Sequence, residues 1–192
     1  MSDGSMTNIP SMIRYSLYAL LVMACLALFA PYAVRAETGK LSETEVKASY
    51  LYNFAKYVDW PAASFARDNT PLTICIIGKS PLNDVIESLA GKTVRNRRMV
   101  VRQFSRLEDL NECHILFISA EAKTSLTQIL TSIAPRSILT VSDSKGFAAA
   151  GGVIEFVPVG DKIRFEINGR AAQRVNIRIS SHLLRLATTV IE

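Results

Sequence analysis

Two short runs leave no room for a polar face: Leu72–Gly78 (LTICIIG) and His114–Ser119 (HILFIS). A strand with one wet side alternates apolar and polar residues, whereas near-continuous apolar runs this short fit strands covered on both faces of a central sheet. Such strands need helices above and below them, and the intervening sequence supplies them. Ser80-Pro81 reads as a cap and first helical residue, with Leu82, Val85, Ile86 and Leu89 at helical spacing and Gly91 as the stop. Met99–Phe104 predicts a further strand and Leu107–Leu110 a helical turn. Glu121–Ile133 predicts a helix ended by Pro135, and Ile138–Ser142 another buried strand. Val153–Val159 and Lys162–Asn168 flank Gly160-Asp161 and predict a hairpin, followed by a short helical piece at Gly169–Arg174. Ser180–Ile191 reads as a last helix burying Leu183, Leu184, Leu186, Ala187 and Val190. The expectation is an α/β fold: a layered domain with a mixed, mostly parallel sheet, helices on both faces and a C-terminal antiparallel hairpin.

Ahead of the first strand, Ser42–Pro61 (SETEVKASYLYNFAKYVDWP) reads as one helix. Ser42 and Glu45 have the spacing of a capping box, and Trp60 before Pro61 marks the end. Between Val46 and Val58 only Lys47, Ser49, Asn53 and Lys56 interrupt the apolar positions. That exceeds one amphipathic stripe and predicts cover on a second side, by another chain or segment.

Residues 1–36 stand apart. Arg14 precedes an apolar run from Tyr15 to Ala33, and Val34-Arg35-Ala36 has the residue sizes a signal peptidase accepts. The expected reading is a secretory leader cleaved after Ala36, leaving 37–192 as a single domain. An uncleaved anchor and a lipoprotein attached through Cys25 are the other readings. Formal charge falls from +5 to +4 on cleavage, since Arg14, Arg35 and Asp3 leave together. Export argues against nucleic acid as a partner and for acidic protein surfaces. Cleavage also leaves two cysteines, Cys75 and Cys113, on strands expected to be neighbours. An even count in an oxidising compartment favours a bridge, and two buried free thiols are the alternative.

Chemistry is hard to find. Gly146 and Gly151 have Walker spacing, but Gly152-Val153 replace the required Lys and Ser/Thr and a strand follows, so the segment reads as a flexible turn feeding the hairpin. His114 and His182 stand apart, Cys113 and His114 point to opposite strand faces, and no Ser lies in a G-x-S-x-G elbow. Asp143 follows a strand without an evident partner. No catalytic set, metal site or cofactor is expected. Basic residues do cluster, as Lys92, Arg95, Arg97, Arg98, Arg102 and Arg106 and again as Arg174, Arg178, His182 and Arg185. The second group, beside a rich apolar side, suits a docking edge, with Arg178, His182 and Arg185 as partner-binding candidates. Tyr50, Phe54 and Trp60 are the alternative surface.

Taken in order, KASYLYNFAKYVDWP (47–61), LTICIIG (72–78), ECHILFIS (112–119), ILTVSDSKGFAAAGGVIEFV (138–157), IRFEIN (163–168) and ISSHLLRLATTV (179–190) resemble the YfiR-type family of small periplasmic proteins. The resemblance spans almost all of 37–192. It implies a non-enzymatic repressor that binds the periplasmic domain of a YfiN-type membrane diguanylate cyclase. A YfiB-type outer-membrane lipoprotein would release it, with cyclic di-GMP and biofilm formation downstream. Cys75 and Cys113 match a cysteine pair of the family, while a second pair around the glycine-rich loop has no counterpart at 143–152. The resemblance also implies a homodimer. A periplasmic small-molecule-binding sensory module, with its pocket at the carboxyl ends of the strands, is the alternative function, and an exported enzyme a third.

Overall fold

The computed structural model describes residues 41–104 and 107–192. The expected leader, 1–36, and Arg106 of the first basic cluster lie outside the described residues. In chain order the elements are α1 (Glu43–Tyr57), β1 (Val58–Asp59), β2 (Leu72–Ile77), α2 (Leu82–Glu87), β3 (Thr93–Val94), β4 (Arg97–Phe104), β5 (Ile115–Ile118), α3 (Leu126–Ile133) and β6 (Leu139–Ser142). Then follow β7 (Ile154–Val159), β8 (Lys162–Asn168), α4 (Gly169–Arg174), β9 (Arg178–Ile179), α5 (Ser181–Leu186) and β10 (Thr189–Ile191). Eight strands form one sheet in the order β10-β8-β7-β6-β5-β2-β4-β3, and β1 pairs with β9 in a separate two-stranded ribbon. The contiguous strands β7, β6, β5, β2 and β4 run parallel; β3 joins β4 and β8 joins β7 antiparallel. This is the expected mostly parallel α/β sheet.

Every residue of β2 and of β5 is buried. The two-residue period of a strand splits them between two cores. Leu72, Ile74, Ile76, Ile115 and Phe117 face α1, α2, α4 and α5. Cys75, Ile77, Leu116 and Ile118 face α3, Leu110 and Phe147.

The capping box forms as predicted: the Glu45 N–H donates to Ser42 Oγ at 3.3 Å and the Ser42 N–H to Glu45 Oε2 at 2.7 Å. The helix stops at Tyr57, before Pro61 can act, because Val58 and Asp59 turn extended and pair with Ile179 and Arg178. Its second apolar side is covered by this same chain. Tyr50 Oη donates to the Ile163 carbonyl and Tyr52 Oη to that of Thr93, each at 3.2 Å. The breadth of the apolar face is thus accounted for without another chain.

Three local readings change. The segment read as a last helix breaks at Leu186, where Ala187 turns extended. The β-branched run Thr188–Ile191 favours a strand, and β10 lies parallel to β8 with Val190 opposite Ile167. Leu186 is consequently 45% exposed, and Val190 packs along a sheet edge in place of a helix face. The β3–β4 hairpin escaped the sequence reading because Arg95 and Asn96 make its turn at positive φ without a glycine. The glycine-rich loop is held and not slack. Glu155, 5% exposed, accepts from the Gly146 N–H (2.8 Å) and the Ala148 N–H (3.0 Å), and Phe147 is buried so tightly that a Cβ on Gly152 would overlap its ring.

Cys75 and Cys113 form a disulfide with their Cα atoms 5.8 Å apart. The strands are neighbours as expected, but Cys75 lies opposite Leu116. Cys113 reaches it from the position just after the turn Leu107–Glu112, ahead of β5. The bridge therefore ties this turn to the central strand, across 38 positions of sequence. Restricting an unfolded loop of that size stabilises a fold by about 4 kcal/mol on chain-entropy grounds. We expect Cys75→Ser to lower the midpoint of thermal unfolding by roughly 10 °C and to abolish the mobility difference between reduced and non-reduced gels; two titratable thiols in the air-purified native protein would refute the bridge.

Candidate functional site

The C-terminal basic surface is built by the β1–β9 ribbon and α5. Asn176 takes a left-handed conformation after α4 and Ile177 is buried, so strand alternation turns Arg178 outward. The Ser180 N–H donates to the Tyr57 carbonyl at 3.0 Å, and its hydroxyl accepts from the Leu183 N–H at 3.2 Å, fixing the start of α5. Leu183 anchors the helix in the core, which leaves His182 and Arg185 exposed. The His182 ring lies 4.8 Å from that of Tyr57, and the Lys56 ammonium sits over the same tyrosine.

Both basic clusters keep exposed cations without an ion-pair partner among the described residues, Lys92 and Arg98 in the first and Arg178 and Arg185 in the second. In the first, Arg95 is paired with Asp59 and donates to the Val58 carbonyl, and Arg102 is paired with Glu112. Arg97 donates to the carbonyls of Arg67, Asp68 and Thr70 and stacks on Phe65. Arg178, His182 and Arg185 are each exposed, His182 lies against Tyr57, and Arg178 stands opposite Asp59 in the ribbon.

The alternative aromatic group does not form a comparable surface. Phe54 is fully buried and offers a partner nothing. Tyr50 packs with Phe54, Phe156 and Phe165 at ring separations of 5.1 to 6.1 Å. Trp60 donates its Nε1–H to the His114 carbonyl at 3.1 Å.

Two polar features were missed by sequence reasoning. Asp143 does have a partner, the buried Lys47 of α1, whose Nζ lies 3.1 Å from Asp143 Oδ2 and 2.7 Å from Glu43 Oε1. Burial works to lower the Lys47 pKa, but the two carboxylates outweigh it and hold it raised. The signal in the sequence was a lone lysine on the inner side of an apolar helix. His114, 3% exposed, accepts at Nδ1 from the Thr73 N–H (3.1 Å), so its Nε2–H is the donor to the Ser64 carbonyl (3.0 Å). Both nitrogens are committed, which makes this imidazole a neutral structural clamp. No group of three or more His, Cys, Asp or Glu side chains suited to a metal occurs among the described residues, and no helix among them is long and apolar enough to cross a membrane.

The family model described as YfiR/HmsC-like matches residues 44–188. No curated protein matches.

The His114 clamp is pH-sensitive. Burial holds its pKa below the ordinary value of 6.5, helped by the charge of Arg97 and opposed by the bond to Ser64. The unfolded chain therefore takes up a proton that the folded one resists, and stability falls as pH drops below about 6.5 toward the folded pKa. We expect the unfolding midpoint to fall between about pH 7 and pH 5. His114→Asn, whose carboxamide oxygen can still accept from Thr73 but cannot be protonated, should melt lower at pH 7 and show a flatter pH dependence; an equal slope in the two proteins would remove His114 as the source.

Proposed function

The chain belongs to the YfiR/HmsC-like family, and from that premise we propose that it is a periplasmic negative regulator of cyclic di-GMP signalling. In this reading it is exported by cleavage after Ala36 and binds the periplasmic domain of a YfiN-type membrane diguanylate cyclase. Binding holds the cyclase inactive, and a YfiB-type outer-membrane lipoprotein relieves the repression. The observation that carries the proposal is the family match across nearly the whole domain. It is a regulatory family, which also supports a non-enzymatic role.

The inhibitory contact is assigned to Arg178, His182 and Arg185. A protein outside the cytoplasm reaches a cytosolic nucleotide only through a membrane-spanning partner, so it needs a docking surface. Charged groups that are exposed and lack internal partners steer an acidic partner and fix its register. The half-exposed Leu186 beside them adds an apolar contact. A homodimer remains part of the proposal, though the apolar breadth of α1 does not supply its interface.

Deleting the gene should raise cyclic di-GMP only in cells that keep the partner cyclase. Replacing Arg178 and Arg185 together by Glu should weaken repression at normal protein abundance, with the melting temperature within about 2 °C of wild type, since both side chains are exposed surface charges. A double variant that represses as well as wild type would move the contact elsewhere, toward the Trp60 side of the ribbon.

A further inference from the structure

A cavity of about 340 Å³ lies between α3 and α4, beside the amino ends of β6 and β7 and away from the carboxyl ends of the strands. Leu130 and Ile133 of α3, Ile138 and Val153 ahead of the two strands, and Ala171 and Val175 give it an aliphatic lining. No aromatic ring and no acidic group stands among the described residues that line it. Its size is near the lower end of ligand pockets, which run from about 300 to 1,000 Å³.

The walls are built before any ligand arrives. Asn168, itself buried, joins two of them: its Nδ2 donates to the Ala148 carbonyl in the glycine-rich loop at 2.7 Å, and its Oδ1 accepts from the Ala171 N–H of α4 at 2.8 Å. Glu155 clamps the same loop through Gly146 and Ala148, and Thr140 Oγ1 holds the Val153 N–H at 2.9 Å. At Gly151 the backbone takes φ +104°, a state that a side chain would strain. A Cβ there would stand 3.7 Å from Arg174 Nη2 and 3.9 Å from Leu130 Cδ1, so the loop, a cation and the apolar wall meet at one point. A preformed cavity loses little conformational freedom on binding.

Arg174 is the one charged residue in the described lining. It is exposed, and its side chain makes no ion pair or hydrogen bond among the described residues, so the guanidinium is free to take a ligand's head group. From this aliphatic cavity with an uncommitted arginine at its exposed side, we infer that it is a binding site for a short-chain aliphatic carboxylate, the chain inside and the head on Arg174. The guanidinium fork meets a carboxylate with two parallel bonds. A single cation suits a monoanion better than a phosphate dianion, and the absence of rings from the described lining favours an aliphatic chain over a stacked aromatic one. The inference stands independently of the repressor reading.

The test is calorimetric titration of the purified protein with butanoate, hexanoate and octanoate at constant ionic strength, with octylamine as the cation of equal chain length, and thermal unfolding with octanoate. Octanoate should bind one to one and raise the unfolding midpoint by about 5 °C near a hundredfold excess over Kd. Affinity should climb along the series by up to about fourfold per methylene, and octylamine should not compete. Arg174→Gln should weaken octanoate roughly tenfold with the unliganded midpoint within about 2 °C of wild type, since the side chain is exposed and unpartnered. Ala150→Leu, which leaves Arg174 in place and fills the cavity from an exposed loop position of its lining, should abolish octanoate binding. The proposal is overturned if octanoate shows no saturable binding, if affinity does not depend on chain length, or if octylamine binds as tightly. Unchanged octanoate affinity in either variant would equally overturn it, by placing the ligand elsewhere.

Discussion

Everything in this fold depends on β2 and β5 lying side by side with no face in water. Their ten residues are all buried, so each face must be roofed, and the alternation of side chains decides which roof each residue meets. On one side lie α1, α2, α4 and α5; on the other lie α3, Phe147 and the turn that the disulfide ties down. Hydrophobic burial on this scale, at roughly 25 cal/mol per Å², makes the position of the sheet insensitive to local compromises at its rim. Those compromises include the buried Lys47–Asp143 pair and the neutral His114.

The sheet was legible because its signals are local and redundant. Runs such as LTICIIG announce burial within seven residues, and Ser42 and Glu45 announce a helix start within four. Helix ends were less legible, since they are set by partners far away. Pro61 looked decisive for α1, yet Val58 and Asp59 leave the helix earlier to pair with residues about 120 positions later. Thr188–Ile191 follows helical spacing on paper, but its β-branched side chains and an open sheet edge beside β8 favour the strand.

The site was legible only in part, for a related reason. Exposure of Arg178, His182 and Arg185 follows from where Ile177 and Leu183 are anchored, and helical spacing hinted at it. Which arginines stay unpaired could not be read, because Arg95, Arg97 and Arg102 are neutralised or satisfied by groups distant in sequence. Phe54, Tyr50 and Trp60 looked alike as apolar letters and separate only in three dimensions, into a core side chain, a half-buried neighbour and a hydrogen-bonded indole.

The β1–β9 ribbon is only two residue pairs long, yet it joins the start of the domain to its end. Closing so long a stretch of chain for so few hydrogen bonds is entropically unrewarding until the intervening sheet has already brought the two ends together. The ribbon is therefore among the last contacts made, and Arg178 reaches its place only in a chain whose beginning and end have met. A chain cut short before Arg178 would lose both pairs of the ribbon, and with them the contact that seats Arg178 against the start of the domain.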